Sequence, residues 1–339
     1  MKTTTTIGLD LAKNVFQVHG VDAAGQVTIR RSLKRRQVLD FFKRLPPCLI
    51  GMEACGTSHY WARELGKLGH RVKQMPANYV KAYLRRGKTD AADAEAICEA
   101  VTRPRIKEVA TKTVEQQTLA MPHKARALLV GQRTALANSI RGQMAEFGIV
   151  AAAGEAGLQT LLAIVVDATR GELMAEQRTA LMSLVAVLAE IDASIERLAT
   201  MMHAHAKRSD TVRRLKTIPG VGPIAASAFV AIVTNASAFA NGRAFAASLG
   251  LTPRLNGTGG EVTLGPITKA GNSYLRRMLY LGAVAVLGRA RRFPKEADPR
   301  LLKLLADKAS FKVAAIALAN RTARIVWVLM TRGGIYCAG

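Results

Sequence analysis

Acidic residues are scarce in this chain: 24 Asp and Glu stand against 49 Lys and Arg, a formal charge of +25 at pH 7. A field of that sign attracts polyanions and raises their association rates, so nucleic acid is the expected partner. Aromatic residues make up only 5% of a sequence that is 49% hydrophobic, a composition that suits packed helices and excludes a disordered chain. Cysteine is rare as well. Cys48, Cys55, Cys98 and Cys337 show neither C-x-x-C spacing nor the density of a disulfide framework, and are expected to be reduced core residues. His203 and His205 would fall on different faces of a helix, which argues against a metal pair. Long uninterrupted apolar runs are missing too: GPIAASAFVAIVTNASAFA carries Ser, Thr and Asn, and SFKVAAIALANRTARIVWVLM carries Lys and two Arg. Both read as buried helices. The N-terminal MKTTTTIGLDLAKN lacks the apolar core of a signal peptide, so the expectation is a cytoplasmic protein with no membrane partner.

What is present divides into three parts. A length of 339 residues leaves room for two or three domains. TTTTIGLDLA, NVFQVHGVD and GQVTIRRSL are rich in β-branched residues and predict three antiparallel strands, with DAAG as the turn before the third. KRRQVLDFFKRL, CLIGMEA, SHYWARELGKLG and HRVKQMP then read as helix, strand, helix and strand, so residues 1–110 form an α/β domain. Residues 111–208 have almost no strand signal. Leu181, Leu184, Leu188, Ile191, Ile195, Leu198 and Met202 recur at three–four spacing, and an earlier stripe runs through Leu129, Leu136, Ile140, Met144 and Phe147. They predict a long helical hairpin or coiled coil, whose seam can close within one chain or between chains; a homo-oligomer, dimer or tetramer, is one expectation. Residues 209–339 form a mostly helical block, in which LKTIPGVGPIAASAFVAI has the pattern of a helix-hairpin-helix. Its turn, with Gly220 and Gly222, could present backbone N–H groups to a phosphate, although a plain helix–helix turn also uses Gly and Pro.

Four acids then need a reason in so basic a chain. Asp10 closes the first strand in IGLDLAKN, and Glu53 closes the later strand in LIGMEACG. Asp90 and Asp93, in KTDAADAEA, lie one turn apart on one face of an alanine-rich helix. If the first and fourth strands pair centrally, Asp10 and Glu53 become neighbours and the helix brings Asp90 and Asp93 to them. Carboxylates that close repel unless cations sit between them, and hard oxygen donors favour Mg²⁺, two ions being the natural arrangement for phosphoryl displacement. Scattered acids on a solvated rim remain the alternative on spacing alone.

The motif set IGLDLAKNVFQV, GMEACG and KTDAADAEAI, followed by IPGVGP, FAASLGLTPR and ITKAGNSYLRRMLY, resembles the DEDD transposases of insertion sequences, a family that includes the pilin-gene invertases. The likeness runs in order along nearly the whole chain. It implies an α/β plus α architecture: an N-terminal RNase H-like domain similar to Holliday-junction resolvases, a helical middle and a C-terminal transposase domain. It also implies Asp10, Glu53, Asp90 and Asp93 as the catalytic and metal-binding carboxylates, double-stranded DNA as substrate and a bridge RNA that pairs with target and donor DNA. Relatives carry, after the Gly-Leu-x-Pro-Arg stretch, a serine that attacks DNA and forms a covalent phosphoserine. Here the segment reads GLTPRLNGTGGEV, with Gly257 and Thr258 in the serine neighbourhood; Thr258 is the candidate nucleophile and Ser248 an outside one. Arg254, Lys269, Arg276 and Arg277 are expected to contact nucleic acid together with Gly220 and Gly222.

Two other readings stay open at this stage. GLDLAKN and the strand order also occur in actin-like sugar kinases, which would need a second Gly-rich phosphate loop on a late strand. A non-catalytic nucleic-acid-binding protein, or an inactivated transposase copy, would use the basic surface alone and need no Mg²⁺.

Overall fold

The computed structural model describes residues 3–84, 89–106, 108–258 and 261–337. Contacts divide the chain into two units, Met1–Val114 and Glu115–Gly339, the first a mixed α/β structure and the second mostly helical.

The first unit opens with three strands, β1 (Thr6–Asp10), β2 (Val15–Val21) and β3 (Val27–Lys34). Its expected DAAG turn is held by Asp22, whose carboxylate accepts from the Ala24 and Gln26 N–H groups, and by Gly25 at φ 78°. Then follow α1 (Val38–Lys43), β4 (Leu49–Glu53), α2 (Ser58–Lys67), β5 (Arg71–Met75), α3 (Ala77–Val80) and α4 (Asp90–Val101). The sheet order is β3-β2-β1-β4-β5; β1 runs antiparallel to β2 and parallel to β4.

Strand alternation sorts the side chains of β1 to two faces. Ile7 and Leu9 are fully buried in a core with Phe16, Phe42, Ile50 and Leu65, and each such side chain stabilises the fold by about 1.5–3 kcal/mol. Gly8 and Asp10 share the opposite face. There α4 packs on β1, β2 and β4, and it comes close because two glycines leave room. A Cβ at Gly8 would run into the Ala94 carbonyl oxygen, and one at Gly51 would stand 2.7 Å from the Val101 Cβ. Thr89 caps α4 by accepting from the Ala92 N–H at 3.2 Å.

The second unit begins with the long helices α5 (Val114–Ala145) and α7 (Ala175–Arg208), separated by α6 (Glu155–Val166). Arg133 of α5 donates to Asp192 of α7 at 2.5 Å and to Glu155 of α6 at 2.9 Å. The expected stripe on α7 is buried or half-buried within the single chain at each of its seven positions. On α5, Ile140 and Met144 are buried, whereas Phe147, the last member of the expected stripe, lies beyond the helix end and is exposed.

Next come α8 (Asp210–Leu215), α9 (Pro223–Ile232), α10 (Gly242–Ser248), a hairpin of β6 (Pro253–Thr258) and β7 (Glu261–Ile267), and α11 (Ser273–Arg292), α12 (Pro299–Asp307) and α13 (Phe311–Arg332). Helix α13 is long and apolar enough to cross a membrane, yet Ala315, Leu318, Ala319, Val326 and others on its inner face are buried in a core shared with α9, α10 and α11. His123 of α5 is a polar node in this unit. It bonds with the Ser227 hydroxyl at 3.1 Å and the Tyr274 hydroxyl at 3.2 Å, and burial, followed by the charge of Arg126, pushes its pKa down to about 4. Cys48 and Cys98 are buried as expected; Cys55 and Cys337 are exposed, because both lie outside regular elements.

Candidate metal centre and nucleic-acid face

Asp10 and Glu53 are the last residues of two paired parallel strands. Thr6, Ile7 and Gly8 pair with Leu49, Ile50 and Gly51, and Glu53 adds to the field at Asp10. The first turn of α4, seated against Gly8, supplies Asp90 and Asp93. One oxygen from each of Asp10, Asp90 and Asp93 lies within 4.8 Å of the others, with Asp90 exposed and the other two half-buried.

Glu53 lies outside that trio but within its field. Its pKa is raised, first by burial and then by the charge of Asp93, while Lys81 opposes the shift. Asp10 responds more strongly. Burial, then Asp93, Asp90 and Glu53, raise it from 3.8 to about 6, against a small opposing effect of the Leu11 N–H. Among the described residues no salt bridge reaches any of the four acids. An all-carboxylate donor set whose proton affinity is raised by burial and then by mutual repulsion fits a hard divalent cation, whose charge would offset both effects.

The other expected residues lie in the second unit. Thr258 is the last residue of β6, opposite Glu261, and Gly257 pairs with Val262, so both candidates stand on a strand. Gly259 and Gly260 lie outside the described residues. Arg254 is exposed on β6. The Ser248 hydroxyl donates to the Phe245 carbonyl at 2.7 Å, a bond internal to the end of α10.

In the IPGVGP turn, the Val221 N–H donates to the Ile218 carbonyl at 3.0 Å. Gly220, at φ 82°, packs on α11, where a Cβ would stand 2.7 Å from the Gly282 carbonyl oxygen; Gly222 has open space around it. Close backbone packing therefore accounts for the first glycine and leaves the second unexplained. Lys269 has a positive φ of 55°, uncommon for a residue with a side chain, and stands exposed. Arg277 is exposed on α11. Arg276 is half-buried, and its Nη1 donates to the Leu249 and Ala270 carbonyls at 2.9 and 2.8 Å, so part of its donor capacity ties two loops together.

Lys81 beside Glu53 was not foreseen, since nothing in its local sequence marks it as near an acid. Lys308 and Lys312, which line a cavity with Lys269, Arg276 and Arg277, were also missed. The basic pair flanking ASF was readable, but its proximity to the ITKAGN segment is a tertiary fact.

The first unit thus gathers an acid cluster with a raised proton affinity, and the second is a mostly helical unit with exposed cations. Comparison with known proteins is more specific. A model described as "Transposase", for the DEDD transposases of IS110, matches residues 7–149, and the model of the transposase IS116/IS110/IS902 family matches residues 212–300. A probable family 20 transposase of Pseudomonas aeruginosa is 47% identical over 98% of each chain. A putative transposase of Sinorhizobium fredii, y4pF/y4sB, is 44% identical over 97% of this chain and 85% of its own. The transposase for insertion sequence element IS1328 of Yersinia enterocolitica is 34% identical over 99% of each. The chain belongs to the IS110/IS116 family of transposases, as its motifs had indicated. Asp10, Glu53, Asp90 and Asp93 all fall within the first matched segment, and Thr258 and the basic candidates within the second.

Proposed function

We propose that the four carboxylates hold two Mg²⁺ ions and that the protein uses them to cut and exchange DNA strands at the ends of an insertion sequence and at its target, guided by a bridge RNA. The observation that carries this reading is the convergence of Asp10, Asp90 and Asp93 oxygens within 4.8 Å of one another. Bound there, divalent cations would supply Lewis-acid stabilisation of phosphate charge. The residues themselves do the positioning. Asp10 and Glu53 are fixed by paired strands, and Asp90 and Asp93 by a capped helix pressed onto Gly8 and Gly51. Asp10 must release its proton to act as a ligand, which its pKa of about 6 permits at neutral pH.

The five-stranded sheet with its acids on neighbouring strand ends supports an RNase H-like reading of the first unit. The long helices α5 and α7 support a coiled-coil region at 111–208 through which chains could assemble as a dimer or tetramer in the cytoplasm. Arg254, Lys269, Arg277 and Gly222 form the proposed DNA and RNA contacts, with Arg276 also holding the loops that present them. Thr258 is the proposed nucleophile.

The test is a cleavage assay with the protein purified together with its RNA. Asp10→Ala and Glu53→Ala should each lower strand exchange by on the order of a hundredfold or more while RNA retention stays nearly unchanged. Full recombination by either variant overturns the metal-site assignment. The serine-free segment around Thr258 favours one second reading, a transposase copy that binds nucleic acid without cutting it. Under that reading, no divalent cation would restore cleavage.

A further inference from the structure

A cavity of about 1020 Å³ opens in the second unit between the base of the β6–β7 hairpin and the adjoining stretches of α11 and α13. Its walls are of two kinds. The apolar part is Leu251, Ile267, Ile316 and the more exposed Val313, and Tyr280 adds an aromatic ring. The rim carries the exposed cations Lys269, Arg277, Lys308 and Lys312, and no Asp or Glu is among the lining residues.

We infer that this cavity takes an unstacked nucleobase of a single-stranded segment, with the flanking phosphates on the rim cations. The inference rests on the nucleic-acid reading above and adds a second contact chemistry to it. A duplex offers a protein mainly its phosphates and groove edges, for which a flat basic surface suffices. A strand with unstacked bases offers flat apolar faces as well, and proteins that bind such strands combine an aromatic or apolar platform with a cationic track. Both parts occur here within one cavity. The rim's uncompensated charge selects a polyanion, and the apolar part selects one with exposed bases.

Fluorescence anisotropy on the full chain tests this with a short single strand and the same strand made abasic throughout, which keeps every phosphate and removes every base. The intact strand should bind about tenfold more tightly at equal salt. Tyr280→Ala should abolish that preference while leaving the salt dependence unchanged. Val313→Gln, at a position 48% exposed and so tolerant of a polar group, should do the same if Tyr280→Ala fails to fold. Conversely, replacing Lys308 and Lys312 by Gln should flatten the slope of log affinity against log salt by about 1.4 and keep the preference for bases.

Equal affinity for intact and abasic strands, both steeply salt-dependent, overturns the base pocket and leaves the nucleic-acid reading standing. Binding of neither strand nor of duplex overturns both. An acidic apolar peptide that outcompetes the intact strand for the wild-type protein but not for Val313→Gln also overturns the inference, since the cavity would then be a peptide site.

Discussion

Gly8 of β1 lies so tightly against Ala94 of α4 that a methyl group at position 8 would run into the Ala94 carbonyl and stand 2.8 Å from the Cys98 Cβ. The same strand face carries Asp10 two residues on, and the same helix carries Asp93 one residue before Ala94. The approach of helix to sheet is therefore the device that brings the acids together. Gly8→Ala should force α4 outward, costing about 1–3 kcal/mol of stability and weakening cation binding together. Gly66→Ala, in open space on the exposed side of α2, serves as control and should leave cation affinity intact. Thermal melts paired with cation titrations check this; a Gly8→Ala protein that binds cations as wild type does would separate the glycine from the site.

Burial of Asp10, with the neighbouring acids, also predicts a pH signature. The Asp10 pKa is raised from 3.8 to about 6 in the folded protein, so the folded state holds this proton more tightly than the unfolded chain. The resulting stabilisation is complete below 3.8 and lost as pH rises through about 6. Without cations, the wild type should therefore lose stability relative to Asp10→Asn across that window. Added Mg²⁺ should reverse the difference above it, since only the wild type gains a ligand. Parallel Tm-against-pH curves for the two proteins would contradict the coupling.

Much of this arrangement was legible in the sequence. The β-branched runs and the turn signals gave every strand of the first unit, and the ends of IGLD and IGME marked Asp10 and Glu53 as strand-end acids. A further sign readable there is the glycine two residues before each acid, since a strand buried on both faces would otherwise fill that position with a larger side chain. The β6–β7 hairpin was missed because its Leu255, Val262 and Leu264 are exposed, and a two-stranded ribbon with an apolar solvent face gives no inward–outward alternation to read. The Ala270 and Leu249 carbonyls that occupy Arg276 are likewise invisible in a linear motif, where arginine reads as a phosphate ligand.

The IPGVGP turn offers a test that separates packing from binding. Gly220→Ala places a side chain at φ 82° and 2.7 Å from the Gly282 carbonyl, so it should destabilise the protein by about 1–3 kcal/mol. Gly222→Ala meets nothing, and its stability should change by only about 0.5 kcal/mol. If the turn holds a phosphate, Gly222→Ala weakens DNA binding several-fold at unchanged Tm. Unaltered affinity and salt slope would remove the turn from the interface.

The hydroxyl of Thr258 is the proposed nucleophile. Its attack would form a Thr258 O–P bond with loss of the hydroxyl proton to solvent, as the deoxyribose oxygen leaves with the electron pair of the broken P–O bond and takes up a proton from solvent, so a covalent DNA adduct on Thr258 is expected by mass spectrometry. Thr258→Ser should retain activity and Thr258→Val abolish it. Gly257→Ser is a further probe: Gly257 needs no positive φ, and its nearest neighbour to an added Cβ is the Glu261 carbonyl at 3.4 Å, so the variant should fold. Recombination that persists in Thr258→Val would send the search to Ser248 or to a water.

The central claim is that Asp10, Asp90 and Asp93 form a divalent-cation site, and Mn²⁺ titration followed by electron paramagnetic resonance reads it without any nucleic acid. The account predicts saturable binding by the wild type at neutral pH, weakening as pH falls below about 6 when Asp10 takes up its proton. Asp10→Asn and Asp93→Asn should each weaken it by about tenfold or more, with folding intact. Mn²⁺ binding of equal strength in the wild type and both variants would contradict it.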